Sequence, residues 1–171
     1  MIRAFLMFLP LLSACVATPV PTEGPFDSFP ATLGAGLAVM QSARVCQAVQ
    51  RAPEGEEFSA GRLAICVPDY PRRLQEAGFI ASCLVRFTVS PSGEPVTPEA
   101  VCDTLNDMGH RDDAKLKVAN AMFVLQAERA IGQTRFRAGA VSEGKPIIQP
   151  IGFVYEGMAT PRPPALPEHW Q

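Results

Sequence analysis

The sequence predicts an α+β fold: a three-stranded antiparallel sheet packed on one main helix, in the order β-β-α-β, with an extra helix on the N-terminal side. Three stretches predict it. Phe79 to Cys102 alternates as one hairpin, about Asp112 to Gly132 carries a helical apolar stripe, and Pro146 to Glu156 alternates again as a third strand.

The hairpin fixes the rest. Ala81, Cys83, Val85, Phe87 and Val89 alternate with Ser82, Leu84, Arg86 and Thr88, the period-two pattern of a half-buried strand. Pro91, Ser92 and Gly93 supply the turn, because proline presets a bend and glycine tolerates positive φ. With Ser92 and Gly93 as a two-residue loop, Cys83 faces Cys102, Val85 faces Ala100, Phe87 faces Pro98 and Val89 faces Val96. The other face then pairs Arg86 with Glu99 and Thr88 with Thr97, an opposite-charge pair and a hydroxyl pair. A slip of one residue would destroy both sets. The competing reading starts a helix at Thr97 with Pro98 in its first position, and leaves both sets of pairs unexplained.

In the main helix, Leu116, Ala119, Phe123, Ala127, Ala130 and Ile131 share a stripe, with Asp112 and Asp113 near the N-terminus where negative charge is favourable. Ile147, Ile151, Phe153 and Tyr155 share a face of the third strand. Between these elements, Asp103 to Arg111 reads as a polar loop and Ser142 to Lys145 as a turn. Upstream, Leu33, Leu37, Met40, Val45 and Val49 predict a helix over Leu33 to Arg51. Pro53 to Glu57 is a polar loop, and Arg62 to Val67 a short strand. Pro68 and Pro71 open the main domain, and Arg72 to Ala77 makes one or two helical turns that Gly78 ends. Ala159 to Gln171 is proline-rich and reads as unordered.

The chain of 171 residues has room for one domain plus an appendage, and 47% hydrophobic content supports a core. A net charge of −2 with scattered basic residues gives no reason to expect nucleic acid. At the N-terminus, Met1-Ile2-Arg3 is a short positive region and Ala4 to Leu12 an apolar run too short for a permanent span. It ends in Leu12-Ser13-Ala14-Cys15, which resembles a bacterial lipobox: cleavage before Cys15 and lipidation of its thiol are expected. Residues 1–14 are then the signal peptide and 15–30 a lipidated tether, rich in proline and small residues. Residues 31–67 form the N-terminal helix and strand extension, 68–157 the main domain and 158–171 the tail. The expected location is the periplasmic side of the bacterial cell envelope, with the outer membrane favoured because Val16 rather than Asp follows Cys15.

Cys46, Cys66, Cys83 and Cys102 remain, an even number that reads as two disulfides in an oxidising compartment. No closely spaced cysteine pair suggests a metal knuckle, so neither metal nor other cofactor is expected. The hairpin register selects Cys83–Cys102, which leaves Cys46–Cys66.

Tyr70-Pro71, Gly78, the strands around Leu84 to Val101, the helix around Phe123 to Ile131, Arg135-Phe136, Glu143 to Pro146 and Ile151 to Phe153 follow one another in an order that resembles the C-terminal domain of the TonB family. The resemblance covers about half of the chain, Pro68 to Glu156. It implies a small α+β domain that binds an extended peptide at the free edge of its third strand. The lipobox, the short tether, the segment Thr104 to Lys117, Ala138 after the Arg-Phe motif and the four cysteines depart from the family's pattern. They favour a stand-alone binding module over an energy transducer acting in transmembrane transport. A structural envelope lipoprotein without peptide recognition is the other alternative.

Pro146 and Pro150 lie four apart, so a regular strand turns both missing N–H groups to one edge, which must face outward if the ladder is to stay whole. The expected peptide-binding edge is therefore Gly152, Phe153, Val154, Tyr155 and Glu156. No catalytic group is expected. His110 and His169, the two histidines, have no nucleophile partnered with them, and the adjacent Asp112 and Asp113 do not span a cleft as an acid and base would.

Overall fold

The computed structural model describes residues 24–141, 144–155, 158–159 and 161–170. The expected leader, Cys15, the first part of the tether, Ser142, Glu143 and Glu156 lie outside the described residues.

In chain order the elements are α1 (Leu33–Gln41), β1 (Cys46–Arg51), β2 (Arg62–Pro68), α2 (Arg72–Glu76), β3 (Phe79–Val89), β4 (Pro95–Asn106), α3 (Asp113–Gln133), β5 (Arg135–Phe136) and β6 (Ile147–Phe153). They form two antiparallel three-stranded sheets, β4-β3-β6 and β1-β2-β5. The α+β class is as predicted; the second sheet is not. Its middle strand, β2, is the short strand expected over Arg62 to Val67, but its two neighbours evade pattern reading because β1 is almost wholly exposed and β5 has only two residues.

Helix α3 starts where Asp112 Oδ1 accepts hydrogen bonds from the Ala114 and Lys115 amides, at 3.0 and 3.1 Å. Its buried face is wider than the predicted stripe. Val118, Met122 and Gln126 are buried beside Ala119, Phe123, Ala127, Ala130 and Ile131, while Leu116 is only half-buried. The extra width exists because α3 packs on β3 and β4 with one side and on α1 and β2 with the other.

The hairpin register is as expected from Phe79↔Asn106 through Cys83↔Cys102 to Arg86↔Glu99, but not beyond. The loop has three residues, closed by Ser90 N to Glu94 O at 2.9 Å, with Gly93 at φ +87°. That moves the pairing by one, to Thr88↔Val96 and Val89↔Pro95. A bulge at Thr97, with φ +46°, restores the register before Glu99. The expected pairs Thr88–Thr97 and Val89–Val96 are therefore replaced, and the expected Phe87–Pro98 pair falls at the bulge, where the register shifts.

Five further expectations change. The helix predicted over Leu33 to Arg51 ends at Gln41, where Arg129 takes the Met40 and Ala43 carbonyls at 2.8 and 3.2 Å. Cys46–Arg51 is a strand instead, which sets Cys46 beside Cys66 on β2. Leu33 and Leu37 of the predicted stripe are exposed; Gly36 and Met40 are the buried positions, and a Cβ on Gly36 would stand 2.4 Å from Val118 Cγ1. Strand β4 continues to Asn106, so Asp103 to Asn106 is not loop; Asn106 Nδ2 donates to the Ala77 carbonyl at 2.7 Å. Strand β6 stops at Phe153 rather than Glu156.

Both ends of the described chain are docked. Phe26 and Phe29 pack on Phe79, and Lys115 Nζ donates to the Phe26 and Asp27 carbonyls at 2.7 and 3.1 Å. The latter half of the expected tether thus belongs to the body. So does the tail: Trp170 is 7% exposed and ends a short 3-10 turn, Glu168–Trp170. The disulfides Cys46–Cys66 and Cys83–Cys102 mark an oxidising, extracytoplasmic environment. Among the described residues no helix is long and apolar enough to cross a membrane.

Candidate functional site

A sheet with three strands has two outer edges, and α3 treats them differently. On β4, the Ala100 amide donates to Glu128 Oε1 at 3.1 Å and Thr104 Oγ1 donates to Asn120 Oδ1 at 2.8 Å, so side chains of α3 occupy that edge. Burial pushes the Glu128 carboxyl up, and the Ala100 N–H opposes the shift.

The same bond reveals the hydrogen-bonding phase of the sheet. An Ala100 amide aimed away from β3 makes Val85↔Ala100 a non-hydrogen-bonded pair, and the 4.0 Å Cα separation of Cys83 and Cys102 fits the same class. Val85 and Cys83 must then turn their polar groups toward β6, where they face Gln149 and Ile151. Ile148, Pro150 and Gly152 are left with theirs pointing outward. Proline at 150, opposite Leu84, thus removes no ladder bond. The outward edge of β6 offers the N–H groups of Ile148 and Gly152 and three carbonyls. It has no strand partner among the described residues.

This edge opens at its C-terminal end into a cleft of about 410 Å³. Gly152 to Tyr155 form one wall; Gln47, Asp69, Tyr70 and Gln75 form much of the other. Tyr70 organises it. Its hydroxyl donates to the Phe79 carbonyl, its ring stacks on Tyr155 with centroids 5.7 Å apart, and Phe153 meets it edge-on at 6.0 Å. Burial first, then the neighbouring Tyr155, holds the Tyr70 phenol far above its usual range. Burial and the Asp107 charge push Tyr155 up to about 12. The Tyr155 hydroxyl is shielded and lies near Tyr70 and Asp107 without a hydrogen-bonding geometry to either. Asp69 is offset by Arg44 at 3.7 Å. Beside the aromatic rings, the walls carry the Gln47 and Gln75 amides, the Asp69 carboxylate and the apolar side chains of Val67, Pro68 and Val154.

Of the five residues expected to form the peptide edge, Gly152 and Phe153 lie in β6, Val154 and Tyr155 follow it, and Glu156 is outside the described residues. Only Gly152 presents its amide outward within the strand; Phe153 is buried and turned to β3. Gln47, Gln75 and the Tyr70–Tyr155 stack were not expected at the site. Tyr155 was expected on the edge but not as a partner of Tyr70, which gave a signal only through the Tyr70-Pro71 motif. The histidines are far apart in role: His110 stacks on Phe26 at 4.1 Å, and His169 meets Glu99 at 2.9 Å. Among the described residues no group of three or more His, Cys, Asp and Glu side chains is placed to hold a metal.

The chain matches no family model, no curated protein and no solved structure.

A rival edge exists on β1, the outermost strand of the other sheet. Its pairing is irregular between Cys46 and Ala48, which blunts it as a template.

Proposed function

We infer that this chain is a lipid-anchored binding module of the bacterial envelope, which recognises an extended peptide or a segment of an envelope protein by taking it as a fourth strand beside β6. The observation that carries this reading is the outward edge of β6, unpartnered among the described residues and continuous with the Tyr70 cleft. Main-chain bonds to Ile148 and Gly152 would supply register, and the cleft would take a side chain beyond Phe153. Pro150 offers an acceptor but no donor, so pairing is interrupted once and the edge resists indiscriminate association. The Leu12-Ser13-Ala14-Cys15 motif supports the anchor, and the order of β3, β4, α3 and β6 is the order expected of a TonB-like domain.

The test begins with a random peptide library panned against the immobilised full chain. A selected peptide is then made with N-methyl groups at alternate positions. Strand addition predicts that one alternate set abolishes binding and the other leaves it intact, because only one set faces β6. Gly152→Pro, which deletes an outward donor and should spare the ladder, is expected to weaken binding at least tenfold. Equal tolerance of both methylated sets, with Gly152→Pro binding as the parent does, overturns the reading.

A further inference from the structure

The tail carries a periodicity that neither a strand nor an α-helix would produce. From Pro161 to Trp170, Pro161, Pro164 and Pro167 are half-buried and Trp170 is buried; the six between them are exposed. A repeat of three is the period of the polyproline II helix, which Pro161, Pro163, Pro164 and Pro167 favour, and of the 3-10 turn Glu168–Trp170 that continues it. The same edge of the tail is therefore the less exposed one from Pro161 through Trp170.

The surface beneath it can be identified. Ala100 faces α3, so its neighbour Glu99 points to the opposite face of the β4-β3-β6 sheet. There Glu99 Oε1 lies 2.9 Å from His169 Nε2. Phe153 at the end of β6 pairs with Ala81, and His169 meets Glu99, the partner of Arg86, so a tail joining these two points would run over this face toward β4. On the same face of β3, Ser82 and Ile80 are buried and Leu84 and Arg86 half-buried. At about 3.1 Å per residue Pro161 to Pro167 spans roughly 19 Å, and the 3-10 turn to Trp170 adds about 6 Å, enough for the crossing. The Glu99 carboxyl is held below its usual range by the His169 contact, with Trp170 and Arg86 assisting. The Trp170 indole N–H lies near that carboxylate but is shielded without a hydrogen-bonding geometry. The resident segment thus fills the surface without satisfying it fully.

We propose that the face of the β4-β3-β6 sheet turned away from α3 is a recognition surface for a proline-rich segment in the polyproline II conformation, with Pro161 to Pro167, closed by the Glu168–Trp170 turn, as its built-in occupant. This surface is separate from the β6 edge, and either can fail without the other.

Trp170 is the sole tryptophan, so the test is direct. In the full chain its emission is expected to be blue-shifted and resistant to acrylamide, and Glu99→Gln is expected to raise quenching severalfold without changing the far-ultraviolet circular dichroism. A full chain carrying Trp170→Ala emits nothing from tryptophan and holds its own tail less firmly. Titrated into it, a synthetic peptide of residues 161–171 is expected to show a saturable blue shift. The same peptide with alanine at Pro161, Pro164 and Pro167 should bind at least tenfold more weakly. A peptide emission that stays unchanged to millimolar concentration on a folded Trp170→Ala chain overturns the proposal. So does a native Trp170 as readily quenched as free indole, a result that needs no variant to fold.

Discussion

Gln126 ties the two sheets together through α3, and Gln126→Leu tests that reading. The side chain is wholly buried, and its Nε2 lies 2.8, 3.0 and 2.9 Å from the carbonyls of Arg44, Val45 and Asp69. Three acceptors around one terminus fix it as the amide nitrogen. With two protons it makes two full bonds at a time, each worth about 1 kcal/mol net. Leucine fills a similar volume but leaves the Arg44 and Asp69 carbonyls without this donor; Val45 keeps the Asp69 amide, at 2.9 Å. Stranding a buried acceptor costs about 1–3 kcal/mol. Against this, Gln126 Oε1 is itself buried without a partner, and removing it returns part of the loss. The expected net destabilisation is about 2–3 kcal/mol, a fall in Tm of roughly 5–10 °C for a domain of this size. Urea unfolding should show a lower midpoint with an unchanged slope, and the Asp69 amide should exchange faster relative to β3. A loss below about 0.5 kcal/mol, within the noise of ordinary surface changes, would refute the claim that this amide joins the sheets.

Two other outcomes follow from the same geometry. Gly93→Ala should destabilise by at least about 2 kcal/mol in denaturant, since Gly93 sits at φ +87° and an added Cβ would stand 2.1 Å from the Phe136 carbonyl oxygen; Gly109→Ala, at φ +77° with nothing within 4 Å, should lose only about 1 kcal/mol, and equal losses would count against hairpin-to-β5 docking. The two tyrosines are both raised above their usual value near 10, Tyr155 to about 12, so their contribution to stability is complete below pH 10 and lost as pH rises through 12; phenolate absorbance should therefore lag behind free tyrosine and rise together with unfolding, whereas titration near pH 10 in a folded chain would contradict the Tyr70–Tyr155 stack.

What could be read from the sequence depended on whether neighbours in the chain were also neighbours in space. The disulfides were legible because Cys83 and Cys102 sit on one hairpin, yet the expected register was right there through two cancelling errors. Gly93 made the loop one residue longer, and the Thr97 bulge took the extra residue back. The break between α1 and β1 was hidden because Val45 and Val49 continue a helical spacing, while the group that ends the helix, Arg129, arrives from α3. The tail was read as unordered because its proline content matches disorder, and a period of three fits neither the strand nor the helix template. The free edge itself was foreseeable from Pro146 and Pro150. The cleft beside it was not, since Gln47, Tyr70 and Tyr155 meet only after both sheets form.

Amide hydrogen exchange of the full chain, read residue by residue with and without a saturating library-selected peptide, bears most directly on the β6 edge. Without peptide, Gln149, Ile151 and Phe153 should be protected and Ile148 and Gly152 should exchange freely; with peptide, Ile148 and Gly152 should slow by at least tenfold. Protection of Gly152 before any peptide is added, or new protection confined to β1 or β4, would contradict it.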